Sequence, residues 1–332
     1  MLTHMPYVTF SKNVFVPVTN ICRNRCGYCG FRRDIHSAEA SVMTPDHVEI
    51  LLEKGVSSGC TEALFTFGEP SGAEFREMLH KIGYSSFIEY VMDLCQMAIG
   101  HGLLPHTNAG VLCYADMRKL KPLNASMGLM LETTGEVDAH RVSPGKDPCM
   151  RLKTIENAGR LKIPFTSGIL VGIGETWDDR MESLLAIRRL HLRHGHIQEV
   201  IVQPFIPKPN TPMSNYRAPS LEEMQKVVAI ARAILPQEIA IQVPPNLVSI
   251  RSLIACGASD LGGISPVTID HINPEARWPS LEELHSMIGV ELRERLPIYP
   301  HFVQAGWYSS SIKELVKRYS DENGFRSKYY DR

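Results

Sequence analysis

Short runs rich in β-branched and aromatic residues alternate with longer stretches of helical periodicity along most of this chain. A first strand is expected over 13–18. Thr44-Pro45 then gives a start signal for a helix running towards Gly59. A strand over 62–67 follows, then a helix over about 87–100, a strand near 103–107, a short helix over 115–120 and a strand over 125–131. The next cycles are clearer: helix 150–162, strand 165–171, helix 177–194, and strand 199–205, which stops in Pro204, Pro207, Pro209 and Pro212. Ser220 opens another helix, with Glu222 and Glu223 in its first turn, that ends near Leu235. Two more short strands, 238–243 and 259–263, flank a helix over about 246–255.

About eight βα units with crossovers of this length favour parallel strands. The expected fold is an α/β, TIM-like (βα)8 barrel of one domain over 1–332, with a core over about 8–245 and completing units over about 246–332. An open doubly wound sheet is the alternative. No low-complexity linker, heptad array or repeat divides the chain. Chemistry in such barrels sits at the carboxyl ends of the strands.

With 332 residues, 44% of them hydrophobic, the chain can bury a large core. Its formal net charge of -1 offers no footprint for nucleic acid. No apolar run approaches membrane-spanning length, and residues 1–10 lack the cationic start and apolar stretch of a signal peptide. A cytoplasmic location is expected. Eight cysteines are too sparse for a disulfide scaffold, and their crowding at the amino end fits metal binding in a reducing compartment.

Cys22, Cys26 and Cys29 set three soft thiolates on the loop after the first expected strand. Thiolates select zinc or iron–sulfur clusters. Structural zinc is closed by four ligands, whereas an open position admits a substrate, so three ligands point to a reactive metal. The run Cys22-x-x-x-Cys26-x-Tyr28-Cys29 resembles the signature of radical S-adenosylmethionine (SAM) enzymes. In that family three thiolates hold a 4Fe–4S cluster and SAM occupies the fourth iron. One electron then cleaves SAM, and a 5′-deoxyadenosyl radical takes hydrogen from the substrate. A zinc knuckle is the competing reading of the spacing.

The resemblance extends along the barrel. Gly68-Glu69-Pro70 is similar to the family's Gly-Glu motif for the SAM ammonium, and the competing reading is a turn in which Glu69 caps the next helix. Glu132 and Arg151 resemble groups that meet SAM's hydroxyls or amine and its carboxylate. The segment 166–176, with Ser167, Gly172 and Ile173, is similar to the adenine-supporting motif; it lacks the order of a phosphate loop or dinucleotide fingerprint.

Residues 15–20, Phe31-Arg32-Arg33-Asp34, 164–170 and 195–203 resemble the CofG family of FO synthase subunits over about 9–300. The resemblance implies a substrate made by a partner, CofH, from tyrosine and 5-amino-6-ribitylaminouracil. Hydrogen abstraction, ring closure and ammonia loss would then give the deazaflavin chromophore FO. A flavodoxin or ferredoxin is the implied electron donor. One departure stands out: Gln203-Pro204-Phe205 replaces an expected Gln-Asn-Phe, removing a backbone donor.

Polar groups at expected strand ends, Asn108, Gln203, Asn246 and Asp270, are candidates for substrate contact, and His271 is a candidate proton acceptor. Cys60, Cys95, Cys113, Cys149 and Cys256 lack mutual ligand spacing and are expected to be mostly buried fillers. Sulfur insertion, hydrogenase maturation or amino-acid rearrangement on the same barrel, and a structural or electron-transfer metal module, stay open as alternatives.

Overall fold

The computed structural model describes residues 7–327; residues 1–6 and 328–332, the ends of the expected domain, lie outside the described residues. The chain begins with β1 (Tyr7–Thr19), α1 (Pro45–Ser57), β2 (Glu62–Phe67), α2 (Ala73–Lys81), α3 (Phe87–Gly100) and β3 (Leu104–Asn108). It continues through α4 (Tyr114–Leu120), β4 (Ser126–Gly128), α5 (Pro148–Arg160), β5 (Phe165–Val171), α6 (Trp177–His194) and β6 (Ile197–Pro204). After α7 (Leu221–Ile234) come β7 (Ala240–Gln242), α8 (Ile250–Ala255), β8 (Asp260–Ile264), α9 (Leu281–Met287), β9 (Glu291–Glu294), α10 (Pro300–Gln304) and α11 (Lys313–Tyr319).

All ladders between these strands are parallel, and β1 closes the circle. Its residues Asn13 to Thr19 pair with β2, Thr9 to Lys12 pair with β8, and Tyr7 to Phe10 carry β9 along the outside. Eight strands therefore form a barrel, which sets aside the open doubly wound alternative. Closure needs a long β1, and this is why the strand extends well before residue 13.

Helices cover the outer face because alternate strand residues there are apolar. Val14, Val16 and Val18 of β1, Phe65 of β2 and Val200 and Val202 of β6 are fully buried in that layer. The element α2 was not expected, and the helix expected over 246–255 forms only at α8. The strand expected over 125–131 is cut to β4, because the chain bulges away from β5 after Leu129 and pairs with it again only at Glu132, which bridges to Ile169 from the left-handed region at φ +69°.

The amino ends of the strands are sealed by charge. Arg295 donates from Nε to Asp260 (2.7 Å) and from Nη2 to Glu199 (3.1 Å), and the Tyr299 hydroxyl donates to the same Glu199 oxygen. Among the described residues no helix is long and apolar enough to cross a membrane.

Candidate active site

A cavity of about 430 Å³ runs down the barrel from the cysteine loop to this charged floor. Cys22, Cys26 and Cys29 all border it. Their loop is held from three sides. The Glu69 N–H donates to Cys22 Sγ at 3.2 Å, Gly27 N–H donates to the Ala139 carbonyl at 2.8 Å, and Met213 N–H donates to the Gly27 carbonyl at 3.0 Å. Gly68 is required by this packing, since a Cβ there would stand 2.1 Å from the Ile21 carbonyl oxygen. Burial raises the Cys22 and Cys29 thiols above their ordinary range.

The three thiols border one cavity, and thiolates are the ligands that iron–sulfur clusters take. An N–H aimed at a ligand sulfur is one of the ways a protein tunes such a cluster. The donor set therefore fits 4Fe–4S.

Beside the thiols lies a buried network of opposite charges. Arg151, which lies in the first turn of α5, donates from Nη1 to the Gly145 carbonyl at 2.7 Å and stands 3.4 Å from Glu69 Oε1. It lies 4.0 Å from Glu132, which also pairs with Lys146. Burial pushes the Glu132 carboxyl up, but Lys146 and Arg151 outweigh it and hold it below the usual carboxylate range. Glu69 faces Arg23 and Arg151, and α2 has no side-chain cap, so the helix-capping reading of Glu69 fails. A paired carboxylate and guanidinium offer complementary partners to an amino acid's ammonium and carboxylate, so the network fits the methionyl end of SAM.

Tyr28 also borders the cavity, and its hydroxyl lies 3.0 Å from His140 Nε2. Burial lowers His140 to about 4, leaving a neutral ring beside Lys146 and Arg151.

The adenine-motif candidates lie elsewhere. Along β5, Thr166 and Leu170 line the cavity, so the two-residue period turns Ser167 to the opposite face; its buried hydroxyl has no partner. Gly172 and Ile173 donate their N–H groups to the Glu175 carboxylate at 2.8 and 2.7 Å. Ile173 packs with Ala139, Phe205 and Met213, the cluster against which Tyr28 rests.

Asn108 and Gln203 line the cavity. Asp270 touches it too, but its carboxylate accepts from Asn246, Asn273 and two backbone N–H groups, so it chiefly holds its own loop. Asn246 stands behind it, off the cavity wall. His271 is also off the wall: its ring packs on Phe15 with centroids 5.6 Å apart, and burial lowers its pKa. Pro204 forfeits little, because β7 pairs with β6 only as far as Ile201, and Phe205 N–H still reaches the Val171 carbonyl at 2.8 Å.

Cys60 and Cys95 are buried as expected, whereas Cys113 and Cys149 are exposed at helix starts. Sequence reasoning missed Lys146, Lys208 and the polar floor residues Asn13, Glu62 and His106, all of which line the cavity. Polar residues on alternate positions of apolar strands, Ser11-x-Asn13 and His106-x-Asn108, were the available signal.

The profile of the Radical SAM superfamily matches residues 16–187. A protein of Methanococcoides burtonii named 7,8-didemethyl-8-hydroxy-5-deazariboflavin synthase is 59% identical, over 97% of this chain and 98% of its own. Another of that name, from Methanosarcina barkeri, is 56% identical over 97% of this chain and 100% of its own. Among solved structures, the FeFe-hydrogenase maturase HydG from Carboxydothermus hydrogenoformans aligns with a TM-score of 0.70 at 20% identity, over 94% of this chain and 78% of that one; this is a likeness of fold.

Proposed function

We infer the activity from kinship: this chain belongs to the radical SAM superfamily and, within it, to the 7,8-didemethyl-8-hydroxy-5-deazariboflavin (FO) synthase family. It is a radical SAM enzyme of deazaflavin biosynthesis that works with a 4Fe–4S cluster and SAM. The finer reading is a carbon–nitrogen lyase of the CofG type. Its substrate is the adduct of tyrosine and 5-amino-6-ribitylaminouracil supplied by CofH, and its products are FO and ammonia. The observation that carries this reading is identity above half the sequence over nearly the whole length of proteins bearing the synthase name.

When bound, cluster and SAM supply the radical that removes hydrogen from the substrate. The chain's own residues hold and shield the parts. Cys22, Cys26 and Cys29 hold the cluster. Glu69 receives the SAM ammonium, Arg151 its carboxylate, and Glu132, kept ionised by Lys146, accepts from a hydroxyl or the amine. Tyr28 is locked by His140 beside the cluster and excludes water there. Gly172 and Ile173 support the adenine from behind through the wall formed with Phe205 and Met213. Gln203 and Asn108 meet the substrate. The chain acts as a single barrel domain in the cytoplasm, fed electrons by a flavodoxin or ferredoxin.

The test is an anaerobic incubation with SAM, reductant and the CofH reaction mixture. FO fluorescence together with 5′-deoxyadenosine is expected. Cleaved SAM without fluorescence would overturn the substrate, and no SAM cleavage would overturn the enzyme class.

A further inference from the structure

The centre of an eight-stranded α/β barrel is normally filled by layers of Val, Ile and Leu. Near the floor of this one, the inward positions include Ser11, Asn13, Glu62, His106 and Gln242, beside the apolar Leu261. Asn13 is 1% exposed, yet neither its Oδ1 nor its Nδ2 has a hydrogen-bond partner. Buried amides are nearly always paired, so an orphaned one bordering a cavity marks where a ligand's polar atoms belong.

The backbone is shaped around these amides. A Cβ at Gly263 would stand 1.9 Å from Asn13 Nδ2, and one at Gly128 would stand 2.1 Å from Asn108 Oδ1. Glycine on β8 and β4 thus gives the amides room that any other residue would take. Asn13 is the register partner of Glu62 across the β1–β2 ladder, and Glu62 accepts from the Ser11 hydroxyl at 2.6 Å. On the far side, Ser126 donates to the Pro297 carbonyl and lies 2.6 Å from His106 Nδ1. His106 Nε2 stands 3.1 Å from Asn108 Oδ1, so the ring joins this amide to the Ser126 side of the floor.

We propose that the lower lumen is a polyol subsite, in which Asn13, with Asn108 and the Ser11–Glu62 pair, receives the hydroxyls of the substrate's ribityl chain. The proposal rests on the FO synthase reading. Hydroxyls are donors and acceptors at once, and a run of them satisfies an amide's two donors and its carbonyl together. An apolar group would leave those atoms unpaired. Asn13 lies six residues of β1 below Thr19, about 20 Å of strand, so the subsite is separate from the SAM end. Leu64, Met130, Leu170 and Phe205 line the cavity too and suit the flat part of the substrate.

The test compares two ligands on the cluster-loaded, SAM-bound full chain under anaerobic conditions: FO, and the same chromophore with a methyl group in place of the ribityl chain. Fluorescence titration gives each dissociation constant. FO is expected to bind at least about tenfold more tightly than its methyl analogue. Asn13→Leu should abolish that preference, leaving methyl-analogue affinity and iron content unchanged. Should the leucine variant fail to fold, Asn13→Ser, which keeps a polar group but cannot span the same gap, is expected to lose most of the preference. Equal binding of both ligands to the wild type, or an unchanged preference in the variants, overturns the subsite. Absence of FO formation by the wild type would overturn the underlying reading instead.

Discussion

Arg151 stands 3.4 Å from Glu69 although 82 positions of sequence separate them, and it is the contact that joins the end of β2 to the start of α5. The guanidinium also serves the carbonyls of Met130 and Gly145. Arg151→Met would leave buried carboxylates and carbonyls without their cation. The expected loss is about 3–5 kcal/mol of stability, read as a lower urea midpoint at pH 7, together with weakened SAM binding. An unchanged midpoint would contradict this account of the network.

Gly68→Ala should act on the cluster rather than on the barrel. The added methyl group meets the Ile21 carbonyl, next to Cys22, and one of the two backbones must shift. Anaerobically reconstituted wild type is expected to hold about four irons per chain, and the variant well under half of that. The exposed Cys113 and Cys149 serve as controls, since serine at either should leave iron content intact.

Acid should destabilise the fold. Burial lowers His106, His140 and His301 to about 4 and His196 to about 3. A histidine held neutral contributes stability that is fully present above its ordinary value of 6.5 and lost as pH falls towards the folded value. Glu62 works the other way. Burial lifts it to about 7, so its contribution is present below its ordinary 4.5 and gone above about 7. Counting His271, which burial also lowers, and Glu199, which burial raises as it does Glu62, five histidines against two carboxyls predict a net fall of at least about 1 kcal/mol per pH unit below pH 6. Urea denaturation at pH 7, 6 and 5 reads it, and a flat series would contradict it.

The elements most legible in the sequence are those whose stop and start signals are local. The helix α6 matches its expected range because Thr176 and Asp179 form a capping box and Gly195 ends it in the left-handed region at φ +66°. The strands β2 and β5 are equally legible as apolar runs between turn residues. Beyond about residue 265 the elements are short, and β9 owes its existence to the first residues of β1, nearly the whole chain away.

The site divides in the same way. Three cysteines in one loop are visible at once, but Lys146 becomes a partner of Glu132 only when the segment between β4 and α5 folds back. Glu199 and Arg295 are ordinary surface charges on paper. Only closure of the barrel, which brings them to 3.1 Å across 96 positions, makes them its floor.

Lys146→Met offers a separate check on Glu132, whose ionisation depends on it. Without the ammonium, burial should raise the carboxyl. SAM affinity, measured by equilibrium dialysis from pH 6 to 8, is expected to become pH-dependent in the variant and to stay level in the wild type. A level variant profile would remove Lys146 from this role.

Hydrogen transfer tests the central claim most directly. The CofH adduct would be prepared from tyrosine deuterated on its side chain and given anaerobically to this chain with SAM and reductant. Mass spectrometry should find deuterium in the 5′-deoxyadenosine and FO formed in the same tube. Unlabelled 5′-deoxyadenosine, or FO arising without it, would contradict the account.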